Sequence, residues 1–303
     1  MYKKIKTKLK DNKKFYYFYL QIRYGYRMIL KRLMWKMHFA ITYTFKSHKI
    51  LGGGGGGYNI PIIVSLTSFP QRIKYVKYTI YSIFLQTHSP QKILLWLSEE
   101  QFPNKQIPKT LLNLQKKSRG VLQIAWYKDI KSYKKLIPTL KIYPDKAIVT
   151  MDDDMYYHKR CLEFLWKSYQ KFPHYIHSHL AVKIQHSSYI EWKEVQPPCD
   201  AKFCFLSIGC AGILYPPKCF HKDILNEDIF TKIAPLGDDL FFWAMATLKG
   251  TKTKIVDHAL GHPKHTLNFW DSPNLYEKNC HENFNDIQFK NILNYYPKLT
   301  KMV

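Results

Sequence analysis

Negative charge is scarce in this sequence of 303 residues, in which 22 acidic residues stand against 47 lysines and arginines. The formal net charge is +25, which favours anionic partners such as nucleic acid, an acidic membrane surface or phosphorylated small molecules. The imbalance is greatest in residues 1–50, which hold fourteen lysines and arginines and a single acid, Asp11. These fifty residues supply about half of the excess positive charge.

Paired cysteines are also missing. The six cysteines form no CxxC pair and show no zinc-finger spacing. They are dispersed through hydrophobic segments, which is the pattern of small buried thiols in a reducing cytosol.

Long hydrophobic runs are absent as well. No stretch of eighteen or more apolar residues could span a bilayer, and no compact apolar region with a small-residue cleavage site marks a secretory signal. We therefore expect a cytoplasmic protein, peripheral to the inner face of the plasma membrane.

The basic segment 1–51 alternates cations with aromatic and aliphatic residues. Helical spacing would place several of these on one side, namely Tyr17, Leu20, Tyr24, Met28 and Leu33. Such a helix could lie on an anionic membrane surface, which is the partner we expect for residues 1–50. Two alternatives stay open: aromatics among cations can hold single-stranded nucleic acid, and the segment can be a poorly ordered extension.

Six consecutive glycines, Gly52–Gly57, follow this segment. Glycine loses the most backbone entropy on ordering, so the run predicts a flexible linker 52–57 ahead of a folded domain 58–303. A long guanine tract would encode glycine in every frame and would slip in replication. Phase-variable expression is therefore a hypothesis, which mixed glycine codons would contradict.

After the linker, hydrophobic strands alternate with amphipathic helices. The predicted strands are 61–68, 92–98, 121–127, 146–152 and 253–259, and the predicted helices are 72–87, 110–117, 133–144, 160–172, 237–250 and 285–297. This order predicts an α/β fold with a mostly parallel, Rossmann-like sheet covered by helices on both faces. In such sheets ligands bind beyond the carboxyl ends of the strands.

The strand 146–152 runs into three aspartates, Asp152, Asp153 and Asp154. Strand alternation would point the first and third to one side, where two carboxylates suit a hard divalent cation. Capping of the next helix is the alternative. A helix–loop–helix calcium site is excluded, because Tyr157 stands where that loop requires glycine and the preceding element reads as a strand.

An ordered set of segments resembles one enzyme group. The segments are VSLTSFPQRI, LLWLSEEQFP, KLIPTLKIYPDKAIVTMDDDMYY, GCAGILYPP, GDDLFFWAMA and NDIQFKNIL. Together with the Asp-x-Asp after an apolar strand, they resemble bacterial nucleotide-sugar-dependent glycosyltransferases of the GT-A fold, from a group associated with lipopolysaccharide or surface polysaccharide synthesis.

The resemblance implies a role for each aspartate of the triplet. Asp154 would bind Mn²⁺ or Mg²⁺, and Asp152 would contact the donor ribose and share in the metal site. Asp153 would hold the loop or the sugar. The metal would neutralise the diphosphate as the glycosidic bond breaks.

Further residues are implied around them. Thr67, Ser68 and Arg72 would meet the nucleotide, although turn formation and helix capping explain them equally well. Asp239 would be the general base of an inverting enzyme, with Asp238 beside it. In a retaining enzyme this acidic pair would instead orient the acceptor or the donor sugar, and placement at a helix N-terminus is the structural alternative.

Retaining relatives often carry a downstream histidine as a further metal ligand. The segment DHALGHPKH offers His258, His262 and His265, but it lacks the Pro-Trp that should follow. The small residues of GCAGILYPP, among them Gly209, allow either close ligand approach or tight packing.

We therefore expect a transferase that moves sugar from a nucleotide-sugar to a glycan or lipid-linked acceptor. A nucleotidyltransferase using the same aspartates is one alternative, although no glycine-rich phosphate loop follows the first strand. A basic nucleic-acid-binding protein is the other, but it leaves both acidic groups unexplained and acids in its groove would repel phosphates.

Overall fold

The structure is a computed structural model, and it describes residues 58–266, 279 and 282–302. The predicted basic segment 1–51 and the glycine linker 52–57 lie outside these residues. Among the described helices, none combines the length and the apolar character needed to cross a membrane.

Twelve strands and seven α-helices are numbered here in chain order over the described residues. The strands are β1 Tyr58–Thr67, β2 His88–Ser98, β3 Leu122–Tyr127, β4 Ala147–Thr150, β5 Met155–Tyr156, β6 Ile176–Ser178, β7 Ala181–Lys183, β8 Lys193–Glu194, β9 Phe205–Ser207, β10 Ile213–Tyr215, β11 Thr253–Ile255 and β12 Lys264–His265. The α-helices are α1 Val76–Phe84, α2 Lys109–Lys117, α3 Ile137–Ile142, α4 Cys161–Lys171, α5 Glu227–Ile233, α6 Asp238–Lys249 and α7 Phe284–Tyr295.

Short 3₁₀ helices connect several of these elements. They are Pro103–Lys105, Lys131–Lys135, Tyr189–Glu191, Gly209–Ala211, Lys222–Leu225 and Pro297–Lys301.

The central sheet has seven strands in the order β11-β6-β10-β4-β1-β2-β3. All neighbouring pairs are parallel except those of β10, which is antiparallel to both β4 and β6. Two small antiparallel sheets lie beside it, β12-β5 and β8-β7-β9. The predicted α/β fold with a mostly parallel sheet is confirmed.

Alternation along β1 explains why both faces of the sheet are covered. Ile63 belongs to the apolar cluster that includes helices α6 and α7. Ile62 and Val64 belong to a second cluster, formed with helices α1, α2 and α4. The predicted helices on both faces are therefore present.

Several predicted elements are shorter in the structure, among them the strand predicted at 253–259, which ends at Ile255. Strand β4 ends at Thr150, so the three aspartates lie in the turn after the strand and not within it. The predicted helix 133–144 is a 3₁₀ turn followed by the short helix α3. Pro138 is the reason, because proline disfavours helical geometry in the residue before it and is best accommodated in the first turn of a helix.

The chain order reverses at β1. Strands β2 and β3 extend to one side of β1, whereas β4 lies on the other side. In open α/β sheets such a reversal opens a crevice at the carboxyl ends of the two strands, where ligands bind. Strand β1 ends at Thr67 and β4 ends at Thr150, so the aspartates lie at this crevice.

Candidate active site

Asp153 ties the end of β4 to the end of β1. Ser65 of β1 pairs with Thr150 of β4, so the residues that follow these strands meet. The Ser68 hydroxyl donates to Asp153 Oδ2 at 2.5 Å, and the Thr79 hydroxyl of α1 donates to the Asp153 carbonyl oxygen at 2.8 Å. Only 5% of Asp153 is exposed, so its contacts support the loop-holding role and not direct contact with a sugar.

Arg72, in the turn between β1 and α1, binds two of the three aspartates. Its Nη1 lies 3.1 Å from Asp153 Oδ1 and 2.9 Å from Asp154 Oδ2. Its guanidinium also lies over the Phe69 ring, 5.2 Å from the centroid. Burial raises the pKa of Asp153 to about 6, because the nearby Arg72 and Ser68 only partly offset the loss of hydration and the charge of Asp154.

Thr67 closes β1 and donates from its hydroxyl to the carbonyl oxygen of Trp96 in β2, at 2.9 Å. Thr67 and Ser68 thus use their hydroxyls within the protein, in contacts that shape the turn. Their predicted role in nucleotide binding stays a prediction, as it does for Arg72.

Asp152 points away from Arg72 and towards a lysine. Its Oδ1 lies 3.2 Å from Lys135 Nζ, and its backbone N–H donates to the Tyr157 hydroxyl at 2.8 Å. About a third of the Asp152 side chain, 32%, is exposed, which makes it the most accessible carboxylate of the triplet.

The second acidic pair lies across the same lysine. Lys135 Nζ is 2.8 Å from Asp238 Oδ2 and 3.6 Å from Asp239 Oδ1. The Ser132 hydroxyl donates to Asp238 Oδ1 at 2.8 Å, and the Gly209 backbone N–H donates to Asp239 Oδ2 at 2.7 Å. The structure therefore brings the two acidic groups of the sequence together through one ammonium group.

Asp239 has the properties of a base. Burial raises its pKa to about 7, since the charges of Asp238 and Asp152 add to the effect and Lys135 and the Gly209 N–H only partly oppose it. A quarter of its side chain, 25%, is exposed, compared with 10% for Asp238. A partly exposed carboxylate with a pKa near 7 is suited to general base catalysis.

Lys135 is the residue that sequence reasoning missed. Its segment is fixed by Tyr133, whose ring stacks on Phe230 at 4.1 Å and whose hydroxyl donates to the Ala234 carbonyl oxygen. The neighbouring Lys134 is also buried but binds Asp129, outside the site. Nothing in the sequence SYKKL distinguishes the two lysines.

Asp152 and Asp154 are the residues that could hold a divalent metal. Burial raises the pKa of Asp154, and the charge of Asp152 adds to this against the lowering effect of Arg72. A hard cation would relieve that cost, so the carboxylate oxygens fit Mg²⁺ or Mn²⁺. Within the described ranges no group of three or more His, Cys, Asp and Glu side chains is arranged to hold a metal.

The three predicted histidines are in different places. His265 lies in β12 and pairs with Met155, the residue that follows the three aspartates. Thr266 donates its backbone N–H to the Asp154 carbonyl oxygen. His262 Nε2 lies 2.9 Å from Glu194, and the His258 ring packs on Phe164 at 5.4 Å. Of the three, His265 is thus the one beside the candidate metal ligands.

Comparisons with known proteins give distant structural matches. No family model and no curated protein matches the sequence. Three solved structures of S. aureus TarS 1–349 match: the protein without a stated ligand, with UDP and with UDP-GlcNAc, at TM-scores of 0.44, 0.44 and 0.45. Each is 13% identical to this chain.

The alignments are partial. They cover 67%, 67% and 75% of this chain and 59%, 59% and 65% of the TarS chain. This chain therefore spans less than two thirds of the TarS structures that it matches. At this identity they assign neither a substrate nor a site residue to it.

Proposed function

We propose that the protein is a metal-dependent glycosyltransferase of the GT-A type, which transfers a hexosyl group from a nucleotide-sugar donor. The observation that carries the proposal is Asp239, a partly exposed carboxylate with a pKa of about 7. One ammonium group joins it to Asp152 at the reversal point of the sheet. A ligand in that crevice would lie between both.

The donor would bind at the carboxyl ends of β1 and β4. Asp154 and Asp152 would hold Mn²⁺ or Mg²⁺, and a bound cation would neutralise charge on the departing diphosphate. Arg72 provides fixed positive charge at the same edge, and Asp153 with Ser68 keeps the β1 and β4 turns in register. Thr67 completes that edge and would border the nucleotide.

Asp239 would act on the acceptor. The acceptor hydroxyl oxygen would attack the anomeric carbon of the donor sugar and lose its proton to Asp239. The bond from that carbon to the diphosphate oxygen would break, and its electron pair would leave with the nucleoside diphosphate. Asp238 would keep Asp239 and Lys135 in place through its 2.8 Å contact with Lys135.

The resemblance described above leads us to place this reaction in lipopolysaccharide or surface polysaccharide synthesis. The acceptor would then be a glycan or a lipid-linked sugar. The basic segment 1–50 would hold the enzyme against the anionic inner face of the plasma membrane, close to such an acceptor.

Thermal stability against a panel of nucleotide-sugars tests the proposal. UDP-GlcNAc, other UDP-sugars, GDP-, CMP- and dTDP-sugars are each added with Mn²⁺ or with a chelator. A ligand at 100 times its dissociation constant stabilises the fold by about 2.7 kcal/mol, which raises the melting temperature. We expect a shift for one nucleotide class that requires the metal.

Asp154→Ala is the matched variant. It should fold and should lose the metal-dependent part of the shift, together with transferase activity. A folded wild-type protein that shows no shift with any member of the panel would contradict the proposal. So would full transferase activity in Asp154→Ala.

A further inference from the structure

Lys135 occupies a position that joins the two halves of the site. We propose that it is a positioning residue, which holds Asp239 at a fixed place relative to Asp152 through one buried ammonium group. The inference rests on the proposed transferase function, in which these aspartates serve the acceptor and the donor.

The geometry around the ammonium group supports this role. The ammonium nitrogen lies 2.8 Å from Asp238 Oδ2, 3.2 Å from Asp152 Oδ1 and 3.6 Å from Asp239 Oδ1, and it donates a hydrogen bond to Asp152. Only 6% of the Lys135 side chain is exposed, so water cannot take its place among them. Asp152 follows β4, whereas Asp238 and Asp239 open α6, so the contact joins elements that lie far apart in the chain.

Gly209 packs closely against Lys135 and Asp239. A Cβ at this position would lie 2.7 Å from Lys135 Nζ and 2.8 Å from Asp239 Oδ1. The backbone N–H of the same residue donates to Asp239 Oδ2. Asp239 therefore lies between the Gly209 amide and the Lys135 ammonium, and a methyl group at position 209 would have to displace the ends of the Lys135 and Asp239 side chains.

Lys134 shows that burial alone does not explain this arrangement. It lies in the same 3₁₀ turn, with 3% of its side chain exposed, and its ammonium binds one carboxylate, Asp129. Asp129 also binds Lys131 and Gln101. Lys134 thus binds one aspartate, whereas Lys135 lies close to three, at the edge of the sheet where the candidate site is.

Loss of the ammonium would leave the three neighbouring carboxylates without their shared cation, and their repulsion would move Asp239. Displacement by about 1 Å of a group that acts on substrate can lower the rate about 100-fold. Of the groups proposed to bind the donor, Asp152 contacts Lys135, whereas Asp154 is held by Arg72. The expected effect is therefore larger on kcat than on the KM for the donor.

The test compares four variants of the full chain by kcat, by the KM for the donor and by melting temperature. Lys135→Met should lower kcat about 100-fold and change the donor KM by less than about threefold. Lys135→Arg should recover at least about tenfold in kcat over Lys135→Met, because it restores the positive charge. Lys134→Met, the matched control, should lose stability but keep kcat within about threefold.

Gly209→Ala keeps every charge and displaces the same atoms. It should lower kcat at least about tenfold. It tests the positioning of Asp239 even if Lys135→Met does not fold. A folded Lys135→Met or Gly209→Ala with wild-type kcat would overturn the inference, as would an equal loss of kcat in Lys134→Met. Wild-type protein that neither transfers sugar nor responds to any nucleotide-sugar would overturn the proposed function and this inference with it.

Discussion

Asp153 and Asp239 lie in the same site, and burial raises the pKa of both, to about 6 and about 7. Their surroundings differ. Asp153 is enclosed, and it accepts from Ser68 and Arg72 with both carboxylate oxygens. Asp239 is a quarter exposed, and within the described part of the chain its Oδ1 accepts no hydrogen bond.

The difference teaches how to separate a structural acid from a reactive one. A raised pKa marks both, because desolvation acts on any buried carboxylate. Asp239 differs from Asp153 in its greater side-chain exposure and in its buried Oδ1, which has no hydrogen-bond partner among the described residues. Under the proposed function, proton transfer would belong to Asp239, whereas the contacts of Asp153 hold the turn.

The largest effect is expected from Asp239→Asn. The amide keeps the shape and the Gly209 contact but cannot take a proton, so kcat should fall about 10²- to 10⁴-fold. The melting temperature should stay unchanged or rise, because a buried carboxylate that resists ionisation is removed. Steady-state transfer assays and thermal melts measure both. An active Asp239→Asn enzyme would place the base elsewhere.

On the side of Asp153, Ser68→Ala removes the hydroxyl that donates to its buried carboxylate. Hydrogen bonds to charged groups contribute about 1.5–3 kcal/mol, and we expect that loss in the free energy of unfolding from urea denaturation. Thr67→Ala is the matched control, because its hydroxyl donates to a neutral carbonyl and should cost about 1 kcal/mol. Equal losses in the two variants would mean that the Ser68 hydroxyl does not stabilise the fold through the charge of Asp153.

His177 extends the comparison to a third buried titratable group, which lies outside the candidate site. Its ring nitrogens lie 2.9 Å from the Ser168 hydroxyl and 3.0 Å from the Phe172 carbonyl oxygen. Burial lowers the pKa of His177 to about 4, although its contact with Phe172 opposes this. Because the pKa of His177 is lower in the folded protein, the unfolded chain binds a proton at this histidine at a higher pH than the folded protein does.

Stability from His177 is therefore complete above its unfolded pKa of about 6.5 and is lost as the pH falls towards 4. By linkage the loss is about 2 kcal/mol at pH 5. His177→Gln should remove this part of the pH dependence in urea titrations at pH 7.5 and pH 5. His186→Gln, at an exposed position, should retain it.

The smallest effect is a pH dependence of the wild-type rate. A base must be ionised, and the pKa of Asp239 is about 7, so kcat/KM should fall about tenfold for each unit below pH 7. The pH profile of initial rates at low substrate measures this. A rate that stays level down to pH 5 would show that the proton is not taken by Asp239.

Periodicity made most of the fold predictable. The buried face of α1, with Val76, Ile80 and Ile83, and the buried Ile73 just before it follow from apolar spacing. So do the strands that precede the aspartates. The reversal of β10 was not predictable, because three strand residues after the glycines of GCAGILYPP carry no sign of direction.

The candidate site was predictable at positions where acidic residues directly border apolar segments. Asp152–Asp154 and the pair Asp238 and Asp239 are conspicuous for that reason, and the structure brings them together. Lys135 was not conspicuous among 47 basic residues. The packing of Tyr133 against Phe230 helps to fix the turn in which Lys135, and not Lys134, enters the site.

The reversed strand β10 has a consequence for where this chain tolerates engineering. Ile213 pairs with Thr150, so β10 begins at the edge where β4 ends, and the turn Gly209–Ala211 is held at a fixed length beside Asp239. The turn at Gly120 leads into β3 at the opposite edge, and a Cβ there would meet nothing within 4 Å. An inserted tag or new chain termini therefore belong beside Gly120, which itself should stay glycine because its φ of +88° would strain any side chain. Such a change would leave the spacing around Asp239 intact.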